Sequence, residues 1–247
     1  MTPTPWFTRR LSGFDLETTG TDPFSDRIVT AAVLDIDGAG GRETATRTWL
    51  LNPGVSIPDE AAAVHGVTTL QAREGGQDAA QGVAEIARAL LGLADDGATT
   101  IAMNASYDLT LLASELHRHG HPGLAGQIEQ LRPVVDPKIL DKQADRYRKG
   151  SRKLVDVARH YKVELSEQDA HGAEADALAA VRVAYRIGAR HAWIGQLTPD
   201  RLHDLQVDWA EEQARSLKAH WEKHDDPRAG TVNFGWPILT EPAADQP

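Results

Sequence analysis

Five residues carry side chains suited to metal or acid–base chemistry: Asp15, Glu17, Asp108, His171 and Asp176. Asp15 and Glu17 flank Leu16 in the stretch GFDLETTGTDP, at the end of an apolar run. In a strand, residues i and i+2 share a face, so both carboxylates point the same way, about 6.6 Å apart along the backbone. They repel each other unless a positive charge lies between them. A cation would supply it. The chain has no cysteine, so its metal ligands must be oxygen or imidazole, and a set of carboxylates suits magnesium or manganese. The plainer alternative is two solvated acids entering the TTG turn.

Asp108 opens the helix that follows the apolar run TTIAMNA, where an acid also favours the helix dipole or caps the helix. Asp176 stands between alanines in HGAEADALAA, and that small-residue face lets its carboxylate stay close to a sheet. His171 lies five residues earlier, in the loop before this helix; taken singly it is an ordinary surface or packed histidine.

Together the stretches FDLETTG, HGVT, MNASYDLTLL, LVDVARHY and HGAEADALAA resemble the DEDDh family of 3′→5′ exonucleases. They occur in the family's order and span roughly residues 11 to 190. The resemblance implies a ribonuclease-H-like fold and a nuclease that uses two divalent cations, Mg2+ or Mn2+. It implies that Asp15 bridges both metals, that Glu17 and Asp176 complete the first site, that Asp108 holds the second, and that His171 is the general base. The chemistry agrees. A phosphodiester is anionic and poorly electrophilic, so hydrolysis needs charge neutralised at phosphorus, an activated water and a stabilised leaving oxygen.

Supporting positions are expected around the strand end. Thr18 and Thr19 offer backbone or hydroxyl groups to a terminal nucleotide, His65 in HGVT resembles the family residue near the terminal sugar and base, and Asn104 orders the Asp108 loop. Each has a bland counterpart: turn-forming threonines, or a histidine satisfied within a loop. The basic stretch Arg146 to Lys153 is either a solvated helix face or a guide for the strand.

RIVTAAVLDID and TATRTWLLN read as strands joined by GAGG, giving three antiparallel strands with the first. A helix is expected from about Asp78 to Leu93, a buried strand at TTIAMNA, a helix ending before Gly120 and Pro122, a strand at PVVDP, helices near 137–148 and 153–161, and a long helix after HGAEAD. This order predicts an α/β fold, a mixed sheet flanked by helices. Residues 1–194 are expected to form the exonuclease domain, and 195–247 an appended helix and Pro/Gly-rich tail. Thr198 followed by Pro199 starts that helix, and Leu202, Leu205, Trp209, Leu217 and Trp221 fall near one stripe.

The 247 residues carry a formal net charge of −10, which argues against non-specific coating of nucleic acid but not against an enzyme gripping one strand end. Residues 141–162 hold eight Lys/Arg against three acids, whereas 200–247 hold five bases against ten acids. With no signal-like or membrane-spanning run, a cytoplasmic protein is expected. Its expected partners are a single-stranded DNA or RNA 3′ end and a polymerase or repair partner, with no membrane. Rival readings are a glycosidase with paired carboxylates, which leaves Asp108, His171 and Asp176 idle, an RNA-trimming exoribonuclease, and a catalytically silent binding module on the same fold.

Overall fold

Strand β1 (Arg10–Thr18) is the spine of the computed structural model, which describes residues 4–40, 42–165 and 172–241. It pairs antiparallel with β2 (Ile28–Asp37), and β2 with β3 (Arg42–Asn52), as the sequence pattern predicts. Next come α1 (Asp59–His65), α2 (Thr69–Gly75), β4 (Gln77–Asp78), α3 (Ala79–Asp95), β5 (Thr99–Ile101) and α4 (Ala105–Arg118). The chain continues through α5 (Pro122–Glu129), β6 (Val134–Val135), α6 (Pro137–Ala144), α7 (Leu154–Tyr161), α8 (Ala173–Arg190), α9 (Ala192–Gly195) and α10 (Pro199–Lys223). The sheet order is β4-β3-β2-β1-β5-β6, with β5 parallel to β1 and β6 parallel to β5. This is a ribonuclease-H-like mixed sheet flanked by helices.

The faces of β1 follow its alternation. Phe14 and Leu16 point into the core and are buried. The odd-numbered face turns toward α8, and Gly13 is what lets that helix lie close. A Cβ at Gly13 would stand 3.0 Å from Val181 Cγ2 and 3.2 Å from the Ala177 carbonyl oxygen. The alanines of α8 complete the fit, since Ala173, Ala177 and Ala180 are all buried. The sequence thus sets helix and strand at small-residue distance just below Asp15.

Several elements differ from expectation. The helix after Asp136 ends at Ala144 rather than near 148, and the basic residues beyond it fold back instead of forming a helix face. Arg148 Nη2 reaches Asp141 Oδ2 at 2.8 Å and Arg152 also pairs with that fully buried carboxylate. A buried charge needs such partners, so these two arginines serve the interior. The helices α1, α2 and α5 and the two-residue β4 are further elements that the sequence pattern did not mark. The long α10 begins as read: Thr198 Oγ1 caps it by accepting from Arg201 N–H at 3.2 Å, with Pro199 at its first turn. Leu202 and Trp209 are buried, but Leu217 is 39% exposed, so the stripe packs only along its first half.

Candidate active site

Asp15 and Glu17 leave β1 on the face that meets α8, and Asp176 sits in the first turn of α8. One carboxylate oxygen from each of the three lies within 4.8 Å of the other two. Asp108 arrives from the adjacent parallel strand: β5 leads into α4, and Asp108 is in that helix's first turn, 4% exposed. Asn104, not Asp108, occupies the N-cap position, so the capping role weighed for Asp108 is not the one it fills. A register shift between Glu17 and Thr18 marks the end of regular pairing with β2, a placement typical of bulges beside functional sites.

The electrostatics match converging like charges. Burial pushes the Asp15 carboxyl well above the usual range, and the charges of Asp108, Asp176 and Glu17 add to it. Burial and then Asp176 push Glu17 up to about 7. Asp108 is raised by burial and by Asp136 and Glu17, against its own and the Leu16 backbone N–H groups that hydrogen-bond it. Such a cluster favours either shared protons or bound cations. Its all-oxygen donor set fits a hard divalent ion.

Beside these carboxylates lies a cavity of about 710 Å3 lined by Glu17, Thr18, Thr19, His65, Asn104 and Tyr107, among others. The four predicted supporting residues therefore meet in one place. They differ in what they can offer. Thr19 Oγ1 donates to Asp26 Oδ1 at 2.9 Å and accepts from Arg27 N–H at 2.9 Å, so its hydroxyl is used inside the loop. Thr18 Oγ1 lies 2.7 Å from the Gly20 carbonyl and 2.9 Å from Tyr107 Oη. His65 Nδ1 accepts from Val67 N–H at 3.2 Å, and burial lowers its pKa. Asn104 Oδ1 accepts from Lys138 Nζ at 2.7 Å. His171 lies outside the described residues.

Two residues of the site were not singled out from sequence. Tyr107 closes one wall, its hydroxyl donating to the Gly20 carbonyl at 2.6 Å. Asp136, 2% exposed, accepts from the backbone N–H groups of Asn104 at 3.1 Å and Ala105 at 3.0 Å. The Asp-Pro pair in VVDPK was a signal for a helix start, and Asp136 does cap α6 by accepting from Lys138 N–H. Nothing in the sequence connects it to α4, thirty residues away.

A family model described as an exonuclease, RNase T, matches residues 12–184, a span that contains all four carboxylates. The chain belongs to this exonuclease family. A DNA polymerase III subunit epsilon-like protein of Rhodobacter capsulatus is 38% identical over 102 residues, which is 40% of this exonuclease chain and 13% of that protein. Among solved structures, E. coli exonuclease I in complex with a dT13 oligonucleotide aligns with a TM-score of 0.61 at 18% identity, covering 75% of this chain and 42% of that one. Exonuclease I of Methylocaldum szegediense aligns at 0.60 and 20% identity, covering 85% and 45%. The exonuclease chain thus spans less than half the length of these relatives, and the structural likeness establishes the shared fold. Among its described residues, no helix is long and apolar enough to cross a membrane.

Proposed function

We propose that the protein is a two-metal-dependent 3′→5′ exonuclease that hydrolyses phosphodiester bonds at DNA 3′ ends and releases nucleoside 5′-monophosphates. The observation that carries this reading is the convergence of Asp15, Glu17 and Asp176 within 4.8 Å, beside a cavity large enough for a terminal nucleotide. Asp15, Glu17 and Asp176 would hold one cation, and Asp108 together with Asp15 would hold the other. When bound, two magnesium or manganese ions neutralise the scissile phosphate and stabilise the attacking and leaving oxygens.

The chain's own groups do the rest. His171 takes a proton from the attacking water, a role suited to an imidazole titrating near neutrality. Water oxygen bonds to phosphorus as the bond to the preceding 3′ oxygen breaks, and that oxygen takes up a proton to become the new 3′ end. The 3′-terminal nucleotide occupies the cavity, where Tyr107 and Thr18 brace each other and His65 stands in the wall beside the sugar. Val64, 52% exposed at the rim, gives the base an apolar contact. Glycoside chemistry would use only two carboxylates and leave the others of this cluster without a role.

The test uses purified protein with single-stranded DNA, the matching RNA, and DNA blocked by a 3′-phosphate. Manganese-dependent release of mononucleotides from unblocked DNA, stopped by chelator, supports the reading. Preference for RNA moves the assignment to the exoribonuclease, and no turnover on any substrate to the silent module.

A further inference from the structure

The strand β6 is the edge of the sheet, yet its outward backbone groups are not left to solvent. His203 and Gln206, both on α10, serve them as a neighbouring strand would. His203 Nδ1 accepts from Val134 N–H at 3.1 Å, Gln206 Nε2 donates to the Val134 carbonyl at 3.0 Å, and Gln206 Oε1 accepts from Asp136 N–H at 2.8 Å. Gln206 is fully buried and also donates to its own helix at Leu202 O, 3.2 Å away.

Asp136 is the pivot. Its backbone is held by Gln206, and its carboxylate accepts from Asn104 and Ala105 N–H, the first donors of α4. Asn104 there has φ of +67°, a left-handed conformation that asparagine adopts more readily than other non-glycine residues. Lys138 Nζ adds a bond to the Asn104 side chain. Four residues further along α4 is Asp108. A second strap comes from the tail: Leu239 N–H donates to Thr110 Oγ1 on α4 at 2.8 Å, and Trp236 lies against His203 with ring centroids 5.1 Å apart.

We propose that α10 is a positioning element of the active site, with Gln206 acting through Asp136 to fix the start of α4 and so the place of the Asp108 carboxylate. The extension is then part of the catalytic architecture rather than a separate appendage. The inference rests on the proposed function only for the role of Asp108 as a metal ligand.

The experiment compares wild type, Gln206→Met and Trp209→Ala. Trp209 is buried on the same helix, against Trp193, and among the described residues no hydrogen bond joins it to β6 or Asp136. Amide hydrogen exchange in the metal-free protein reads Asn104 and Ala105 directly, and manganese titration reads site number and affinity. The expected result for Gln206→Met is at least tenfold faster exchange at Asn104 and Ala105 and at least tenfold weaker binding of the second manganese, with the first within twofold of wild type. Trp209→Ala, even with a similar loss in Tm, leaves both readouts near wild type. If Gln206→Met does not fold, His203→Phe keeps a ring against Trp236 and is expected to speed exchange at Val134 and, by a smaller factor, at Asn104. Unchanged exchange in a folded Gln206→Met, or in His203→Phe where that variant stands in, overturns the inference, as does an equal effect in Trp209→Ala. A wild type that binds no second manganese overturns the proposed function instead, and the exchange data still decide whether α10 fixes α4.

Discussion

Replacing Glu17 by Gln separates the metal-free protein from the metal-loaded one. Without metal, burial and then Asp176 raise the Glu17 carboxyl from its ordinary 4.5 to about 7. A folded-state pKa above the unfolded one means that Glu17 contributes stability fully present below pH 4.5 and lost as the pH climbs through about 7. At about 1.4 kcal/mol per pH unit, that rise corresponds to about 3.5 kcal/mol, or about 7 to 14 °C in Tm for a chain of this size. In chelator at pH 8, Glu17→Gln therefore unfolds at the higher temperature, because the amide adds no charge to the cluster. The difference closes as the pH falls to 4.5. Saturating manganese inverts the ranking: a ligand at a hundred times its Kd adds about 2.7 kcal/mol to the protein that binds it, and the variant binds it more weakly. Scanning calorimetry across this pH range, with chelator and with manganese, reads both effects. A wild-type advantage in chelator at pH 8, or a difference that does not vary with pH, refutes the claim that these carboxylates face each other across a space suited to a cation.

Asp15→Asn and Asp176→Asn are expected to abolish nuclease activity while the metal-free proteins stay folded, as far-ultraviolet circular dichroism will show; near-normal turnover in either would remove it from the metal site. His171→Ala loses roughly two to four orders of magnitude in turnover yet keeps manganese affinity, so calorimetric titration distinguishes it from the Asp15 variant. Truncation before Thr198 removes the buried Leu202, at about 1.5–3 kcal/mol of lost apolar burial, and hands Val134 and Asp136 N–H from their side-chain partners to water, at about 0.5–1.5 kcal/mol each. Denaturant unfolding should show that loss, and an equally stable truncated protein would show that α10 contributes nothing to the sheet edge.

The carboxylates were legible because their signals are local and periodic. Asp15 and Glu17 share a face by the two-residue repeat of a strand, and the alanines around Asp176 announce a helix that can approach a sheet; the structure pairs them through Gly13 and Ala177. The start of α10 was equally plain in Thr198 and Pro199. What could not be read is long-range. Arg148 and Arg152 look like surface charge along the chain because their partner, Asp141, is marked only by burial. Asp136 looks like the cap of its own helix, and only the sheet order brings it beneath Asn104. Tyr107 reads as one more helix residue until the loop at Gly20 folds over it. The seven-residue α1 and α2 carry too few turns to show a period.

The central claim is that Asp15, Glu17, Asp108 and Asp176 form one metal-dependent centre that removes nucleotides from a 3′ end. The most direct measurement follows single-stranded DNA labelled at its 5′ end, incubated with the wild-type protein and manganese and resolved at single-nucleotide length. The account predicts a ladder that shortens one nucleotide at a time with the label retained, nucleoside 5′-monophosphates as product, and intact DNA in chelator. Immediate release of the label as a mononucleotide, or DNA left intact with manganese present, would contradict it.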